Sequence, residues 1–179
     1  MKVYSNEIVF RGHPDKVCDQ ISDALLDAYL SGDRHSRVAV ETVGGKGKIF
    51  VTGEVTSQCK VNVEEVVKRV LRDVGYNAED YEVIDNIGKQ SPDIAQGVDI
   101  GGAGDQGMMF GYACNDTEFL LPTAMVILQE FSRFYDKLRQ EDSRFLADGK
   151  CQITGYYDDN FRLMKIKTFT INYQNTELE

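Results

Sequence analysis

The chain has 179 residues, enough to bury one good core or two lobes, and its 42% hydrophobic content is ordinary for a globular protein. Its formal net charge of −9 argues against nonspecific binding to nucleic acid. No apolar run is long enough to span a bilayer and Met1 opens no secretory leader, so the composition reads as a cytoplasmic enzyme chain with no membrane partner. The four cysteines (Cys18, Cys59, Cys114, Cys151) are scattered, lack zinc spacing and read as reduced, partly buried thiols.

Residues 2–9 read as a short strand. A helix follows from Pro14 to about Leu30, because Val17, Ile21, Ala24, Leu25, Ala28 and Tyr29 recur at helical spacing and Gly32 ends the pattern. Its start is Gly12-His13-Pro14-Asp15-Lys16. This pentapeptide places a neutral-pH donor, a hard-metal ligand and an ammonium at a helix N-terminus, where free N–H groups and the macrodipole favour anions. Taken alone, it is better read as a capped surface helix with chance charges.

Arg37 to Val43 alternates as a strand, Gly44-Gly45-Lys46-Gly47 turns, and Lys48 to Thr56 returns. Setting Val43 opposite Lys48 faces Glu41 with Phe50 and Glu54 with Arg37. One face then carries Arg37, Ala39, Glu41, Val43, Lys48, Phe50, Thr52 and Glu54. The other carries Val38, Val40, Ile49, Val51 and Val55, and is expected to pack on helices. In this register Glu41 and Glu54 stand four residues apart along the ladder, roughly 13 Å. The mixed face reads equally as solvated surface or as a site and subunit interface. A second helix has Asn62 as N-cap with Glu65 three residues on, an apolar stripe from Val63 to Val74, and Gly75 as its stop.

Residues 86–107 hold six glycines and read as a long loop, either a functional gate or a plain linker. Met108 to Cys114 reads as a strand and Pro122 to about Arg139 as a helix. Asp148-Gly149-Lys150 alone is an ordinary turn. Cys151–Tyr157 and Phe161–Tyr173 read as a hairpin turned by Asp158-Asp159-Asn160. The fold class is therefore α+β: repeated strand-helix-hairpin-helix units with helices on one face of each sheet. Residues 1–99 form one complete unit, including the start of the 86–107 loop, and residues 100–179 form an incomplete one. The helix expected after the second hairpin is missing, so that sheet must bury its face on something else.

Five stretches in order carry a resemblance. They are Gly12-His13-Pro14-Asp15-Lys16, Val38-Ala39-Val40-Glu41-Thr42, Gly53-Glu54-Val55-Thr56, the run from Gln90 to Asp99, and the run from Gly102 to Ala113. Together they closely resemble S-adenosylmethionine synthetase (methionine adenosyltransferase), over nearly the whole chain but only about the first half of a family member.

The resemblance implies a pseudo-threefold fold, of which this chain holds one complete unit and one incomplete unit. It implies that ATP and L-methionine are joined by attack of the methionine sulfur on the ribose C5′, with the triphosphate leaving and then hydrolysed to pyrophosphate and phosphate. A neutral sulfur needs no base, so catalysis is mostly positioning and electrostatics. Carried over residue by residue, His13 contacts the triphosphate near the breaking bond and Lys16 lies in the same phosphate site. Asp15 is an Mg²⁺ ligand and Glu41 a K⁺ ligand. Glu54 and Gln90 contact methionine, Asp105 is a substrate-site acid, and Asp148 and Lys150 match an Asp-x-Lys pair that contacts ATP. Residues 86–107 correspond to a mobile gate.

Three departures stand out. Phe10-Arg11 occupy the place of a usual Ser-Glu, which alters polarity near the phosphates. The gate is shortened between Asp99 and Gly102. The family's later segments, with a lysine-rich glycine loop, a Gly-Arg-Lys segment and a second Mg²⁺-binding acid, lie beyond this sequence. The expectation is one subunit of a split enzyme, active with a complementary chain and meeting a second copy of itself across the Glu41/Glu54 sheet face. The alternatives are a non-catalytic regulatory or scaffold subunit and a generic nucleotide-binding domain.

Overall fold

The computed structural model describes residues 1–89, 91, 101–103 and 106–176. In chain order its elements are β1 (Lys2–Val9), α1 (Pro14–Gly32), β2 (Arg37–Gly45), β3 (Lys48–Thr56), α2 (Val63–Val74), a 3-10 turn (Ala78–Asp80), β4 (Glu82–Lys89), α3 (Thr123–Glu141), β5 (Phe145–Tyr157) and β6 (Leu163–Asn175). The protein is thus mixed α+β. It divides into two compact units, one of residues 17–109 and one that joins 1–16 to 110–179.

In the 17–109 unit the sheet order is β2-β3-β4, with β2 antiparallel and β4 parallel to β3. The caps of α2 behave as their chemistry requires. The Asn62 side chain accepts the Glu65 N–H at 3.2 Å, and Gly75 takes a left-handed φ of 106°. The N–H groups of Gly75 and Tyr76 both reach the Leu71 carbonyl, at 3.1 and 2.9 Å, which closes the helix end. Val63, Val67, Val70, Leu71 and Val74 are buried with Ile21, Leu25 and Tyr29 of α1 and Ile49 and Val51 of β3. Ser22 of α1 bonds Thr42 of β2 at 3.0 Å, which sets α1 on the aliphatic side of the hairpin, as its pattern requires.

The hairpin register differs from the expected one by two residues. The turn is only Lys46-Gly47, with φ of 50° and 75°, the pair of positive values that a tight twisted hairpin needs. Gly44 and Gly45 therefore continue the strand. Glu41 faces Thr52, Ala39 faces Glu54, and Val43 faces Phe50. A two-residue shift leaves every side chain on its expected face. It does bring Glu41 and Glu54 to two residues apart along the ladder, roughly 7 Å instead of 13 Å.

Strand β4 was not legible in the sequence, and its last four residues lie in the stretch read as loop. It aligns Ile84 with Phe50, Asn86 with Thr52 and Gly88 with Glu54, and Asn86 donates to the Thr52 hydroxyl at 3.1 Å. The rest of the gate stretch, at residues 90, 92–100 and 104–105, lies outside the described residues.

In the other unit the sheet order is β1-β5-β6, antiparallel throughout. Helix α3 packs on β1 and β5. Its Ala124, Leu128 and Tyr135 join Phe10, Cys151 and Ile153 in the core. The Phe10 ring stacks on Tyr135 with centroids 4.4 Å apart, and the Tyr135 hydroxyl donates to the Leu146 carbonyl at 2.8 Å. Strand β5 starts six residues before the expected Cys151, so Asp148-Gly149-Lys150 is strand interior and not a turn. Pairing with β6 from Phe145↔Asn175 onward overrides the weak local propensity of Asp and Gly.

Two features of this unit leave apolar surface open. On the face that α3 covers over β1 and β5, the β6 side chains Ile166, Phe169, Ile171 and Tyr173 remain 36–40% exposed. The expected strand at 108–114 is also absent: among the described residues this stretch joins no sheet.

Candidate functional site

The site begins at the turn between β1 and α1. The Phe10 N–H donates to the Gly149 carbonyl at 2.8 Å, and the His13 N–H donates to the Phe10 carbonyl at 3.0 Å. These bonds fold residues 10–13 onto β5. The approach is so close that a Cβ on Gly12 would lie 2.4 Å from the Ala147 Cβ and 2.5 Å from its carbonyl oxygen. Glycine is required here by contact, not by φ. The Phe10 ring is 1% exposed in the core, so it does not change polarity at the surface as its sequence position suggested. Arg11 is the exposed member of that pair, and what it brings is charge.

His13 caps α1. Its Nδ1 accepts the Asp15 N–H at 3.3 Å, which places the proton of the neutral ring on Nε2. The donor accounting at this helix end differs from the expectation of free N–H groups. His13 N–H is taken by Phe10, Pro14 has none, and Asp15 N–H is taken by His13. Two N–H groups at this helix end are thus taken within the chain and a third position has none. An anion here would be met chiefly by side chains.

Those side chains meet in an open cavity of ≈ 320 Å³, lined by His13, Asp148, Gly149, Lys150, Asn172, Tyr173 and Gln174. Strand alternation explains the grouping, since Asp148 and Lys150 share one face of β5 and Asn172 of β6 faces Lys150. A neighbouring hollow of ≈ 170 Å³ is lined by Glu7, Lys150, Gln152, Thr170 and Asn172, among others. Glu7 receives Lys150 Nζ at 3.2 Å on one carboxylate oxygen and Gln152 Nε2 at 3.3 Å on the other. Lys150 is therefore held upright between two hollows. Behind it, burial first and the Glu7 charge second push the Cys151 thiol up to about 11, so it is an inert core group. None of the four cysteines is in a disulfide.

The other sequence-selected residues are distributed as follows. Asp15 is exposed, with its Oδ2 3.8 Å from His13 Nδ1, and Lys16 is half-buried in the same helical turn. Glu41 and Glu54 belong to the 17–109 unit, on the open face of its sheet. Glu41 shares a row with Thr52 and Asn86, and Val43, Phe50 and Ile84 form the next row. Gln90 and Asp105 lie outside the described residues. The sequence reading missed Glu7, Gln152 and Asn172. Glu7 at an alternate position of a short strand was the available signal, but only the β1–β5 register, which sets it opposite Gln152, gives it a role.

The donor chemistry fits the ions that the motifs imply. Among the described residues no three His, Cys, Asp or Glu side chains gather into a metal cluster. A single exposed Asp15 suits Mg²⁺, which commonly takes one or two carboxylates and fills its shell with phosphates and waters. The Glu41, Thr52 and Asn86 row offers only hard oxygen donors, which suits K⁺.

The chain matches two family models almost end to end: S-adenosylmethionine synthetase, N-terminal domain, over residues 1–92, and S-adenosylmethionine synthetase, central domain, over residues 100–179. It is 41% identical to the S-adenosylmethionine synthase of Salinibacter ruber, over 98% of this chain and 49% of that protein. It is 42% identical to that of Prochlorococcus marinus and 40% to that of Clostridium tetani, in each case over 97% of this chain and 47% and 50% of the relative. The chain spans about half the length of the curated relatives it matches. With the His13 cap, the Asp148 and Lys150 strand and these matches in hand, the chain belongs to the S-adenosylmethionine synthetase family.

Proposed function

We propose that this chain is one subunit of a split methionine adenosyltransferase, which makes S-adenosylmethionine from ATP and L-methionine with a complementary chain supplying the rest of the active site. The observation that carries the reading is the convergence of His13, Asp148 and Lys150 on one polar cavity, in a chain that matches only the N-terminal and central family domains. His13 Nε2–H donates to a triphosphate oxygen near the breaking C5′–O bond. Lys150, braced by Glu7, and Lys16 neutralise the leaving triphosphate, and Asp148 orients the nucleotide. Asp15 would hold Mg²⁺, which supplies charge stabilisation for the departing oxygens when bound. Glu41 would hold K⁺, Glu54 and Gln90 position methionine, and Asp105 serves the substrate site. Because sulfur attacks as a neutral nucleophile, no residue is required as a base.

The same reading assigns the open surfaces. The β6 side chains that α3 leaves partly exposed take a helix from the complementary chain. The β2-β3-β4 face, with Val43, Phe50 and Ile84 beside Glu41 and Glu54, meets a second copy by a two-fold contact. The particle is then two copies of this chain with two of the partner, or a higher multiple. Cysteines outside any disulfide suit a reducing cytoplasm. Among the described residues no helix is long and apolar enough to cross a membrane.

The test is reconstitution. The purified chain alone should form essentially no S-adenosylmethionine, and the mixture with its complementary chain should turn over with Mg²⁺ and be helped by K⁺. In the mixture Asp15→Asn should cost roughly a hundredfold or more in rate. Robust synthesis by the chain alone would sink the split reading. Inactivity with a verified partner would favour a non-catalytic regulatory subunit.

A further inference from the structure

A third hollow, between α1 and α2, has no place in the reading above. It measures ≈ 690 Å³, larger than either hollow beside Lys150, and falls wholly within the 17–109 unit. That volume is in the range of small-molecule sites. The space exists because the α1 side chains along it are small. Ala24 and Ala28 stand one helical turn apart there, and Val66 of α2 adds to the apolar lining. Cys59 also lines it and is packed hard against the end of α1, since a Cβ on Gly32 would lie 2.3 Å from its Sγ.

The polar lining is unusual for this chain. Lys60, Arg69 and Arg72 all border the hollow. They are exposed, and among the described residues none of the three has an ion-pair partner. Exposed cations elsewhere in the same unit do pair: Lys48 meets Glu82 at 2.8 Å, and Lys68 meets Glu64 and Glu79, each at 3.0 Å. The contrast is plainest on α2 itself. Lys68 takes the carboxylate four residues before it, whereas its neighbour Arg69 does not take Glu65, which stands in the same favourable relation to it. The chain has 29 acidic residues against 20 basic ones, so carboxylates are not scarce. Asp27 and Glu65 line the hollow too, and three cations less two carboxylates leave the lining at +1. A field that weak selects little. Direct pairing with individual cations selects more, and it requires a ligand with more than one anionic group. Arg69 and Arg72, three residues apart, share one side of α2, and the guanidinium fork matches carboxylate and phosphate alike.

We propose that this hollow binds a small organic molecule carrying two or more anionic groups on an apolar body. Arg69 and Arg72 grip one anionic group, Lys60 meets another, and Ala24, Ala28 and Val66 cover the body. Carboxylate and phosphate satisfy this chemistry equally. None of these residues is assigned to the reaction above, so the site stands or falls independently of the split-enzyme reading.

The test uses the full chain with isotopically labelled alanine methyl groups. Adipate, butanediol bisphosphate and hexanoate are titrated in turn at low salt, and the Ala24 and Ala28 methyl signals are followed by NMR. At least one of the two dianions should shift both signals saturably, and the one that does identifies the anionic group. Hexanoate, with a single carboxylate, should not. Arg69→Gln combined with Arg72→Gln should weaken the response by about tenfold or more, because it removes two charge-assisted contacts. Lys60→Gln, outside the helix, gives a second variant should the double one fail to fold, and it should weaken binding in the same direction. Bound dianion should also slow alkylation of Cys59 by iodoacetamide, read by peptide mass. Silence of both methyl signals toward both dianions would overturn the proposal. So would an equal response to hexanoate, shifts reproduced by sodium chloride at the same ionic strength, or undiminished binding in a folded variant.

Discussion

Gly12→Ala tests whether contact, and not backbone freedom, seats the turn between β1 and α1. The added methyl carbon would lie 2.4 Å from the Ala147 Cβ, 2.5 Å from its carbonyl oxygen and 2.6 Å from its carbonyl carbon. Ordinary carbon contacts sit at about 3.5–4.0 Å, so the turn must retreat from β5 by about 1 Å. Two of the three atoms are backbone and cannot rotate away. Overpacking of this kind costs about 1–3 kcal/mol, and immovable neighbours put this case toward the upper end. A domain is stable by only about 5–15 kcal/mol, so the loss should be plain in urea unfolding as a lower midpoint at unchanged slope. The retreat would also lengthen the bond from the Phe10 N–H to the Gly149 carbonyl, so the Phe10 amide should exchange faster. Adding Ala147→Gly removes the Cβ contact but neither carbonyl contact, and should restore only part of the loss. The account would be refuted if Gly12→Ala unfolds within about 0.5 kcal/mol of the parent, or if the double variant recovers completely.

Two further outcomes follow from the same unit. Phe10→Ala should destabilise by about 3–5 kcal/mol in urea unfolding, because it empties a buried site against Tyr135; a loss below about 1 kcal/mol would place the ring at the surface. The hydrogen bonds from Arg144 hold the Asp142 carboxyl down at about 2. A depressed native value stabilises the fold above the ordinary carboxylate range near 3.9, and the benefit is lost as pH falls through about 2. Asp142→Asn should therefore lower stability by a constant amount above about pH 4 and converge on the parent toward about pH 2, as read by unfolding curves across that window.

What the sequence showed and what it hid divide by the range of the interaction that decides each feature. Helix α2 was legible to the residue because its determinants are local: Asn62 satisfies a donor three residues on, and Gly75 supplies a left-handed stop. The faces of the β2–β3 hairpin were legible because alternation survives any two-residue slip. The register was not, because it hangs on whether Gly44-Gly45 turn or continue, and the positive φ values at Lys46 and Gly47 decide that. Strand β4 and the first half of β5 contain Asp, Asn and Gly, and exist because β3 and β6 offer them an edge. Residues 108–114 are the reverse case, with strand composition and no edge among the described residues. At the candidate site the motifs picked out His13, Asp148 and Lys150, but not the reason they meet. That reason is a strand where a turn was expected, which puts Asp148 and Lys150 on one face, and a glycine contact that brings His13 to it. The corrected hairpin register has a similar effect in the other unit. At roughly 7 Å along the ladder, Glu41 and Glu54 stand within reach of one small charged ligand and its counter-ion. At 13 Å they would have served two separate places. The two carboxylates are therefore near neighbours on one sheet face, and that grouping comes from the turn, not from the motifs.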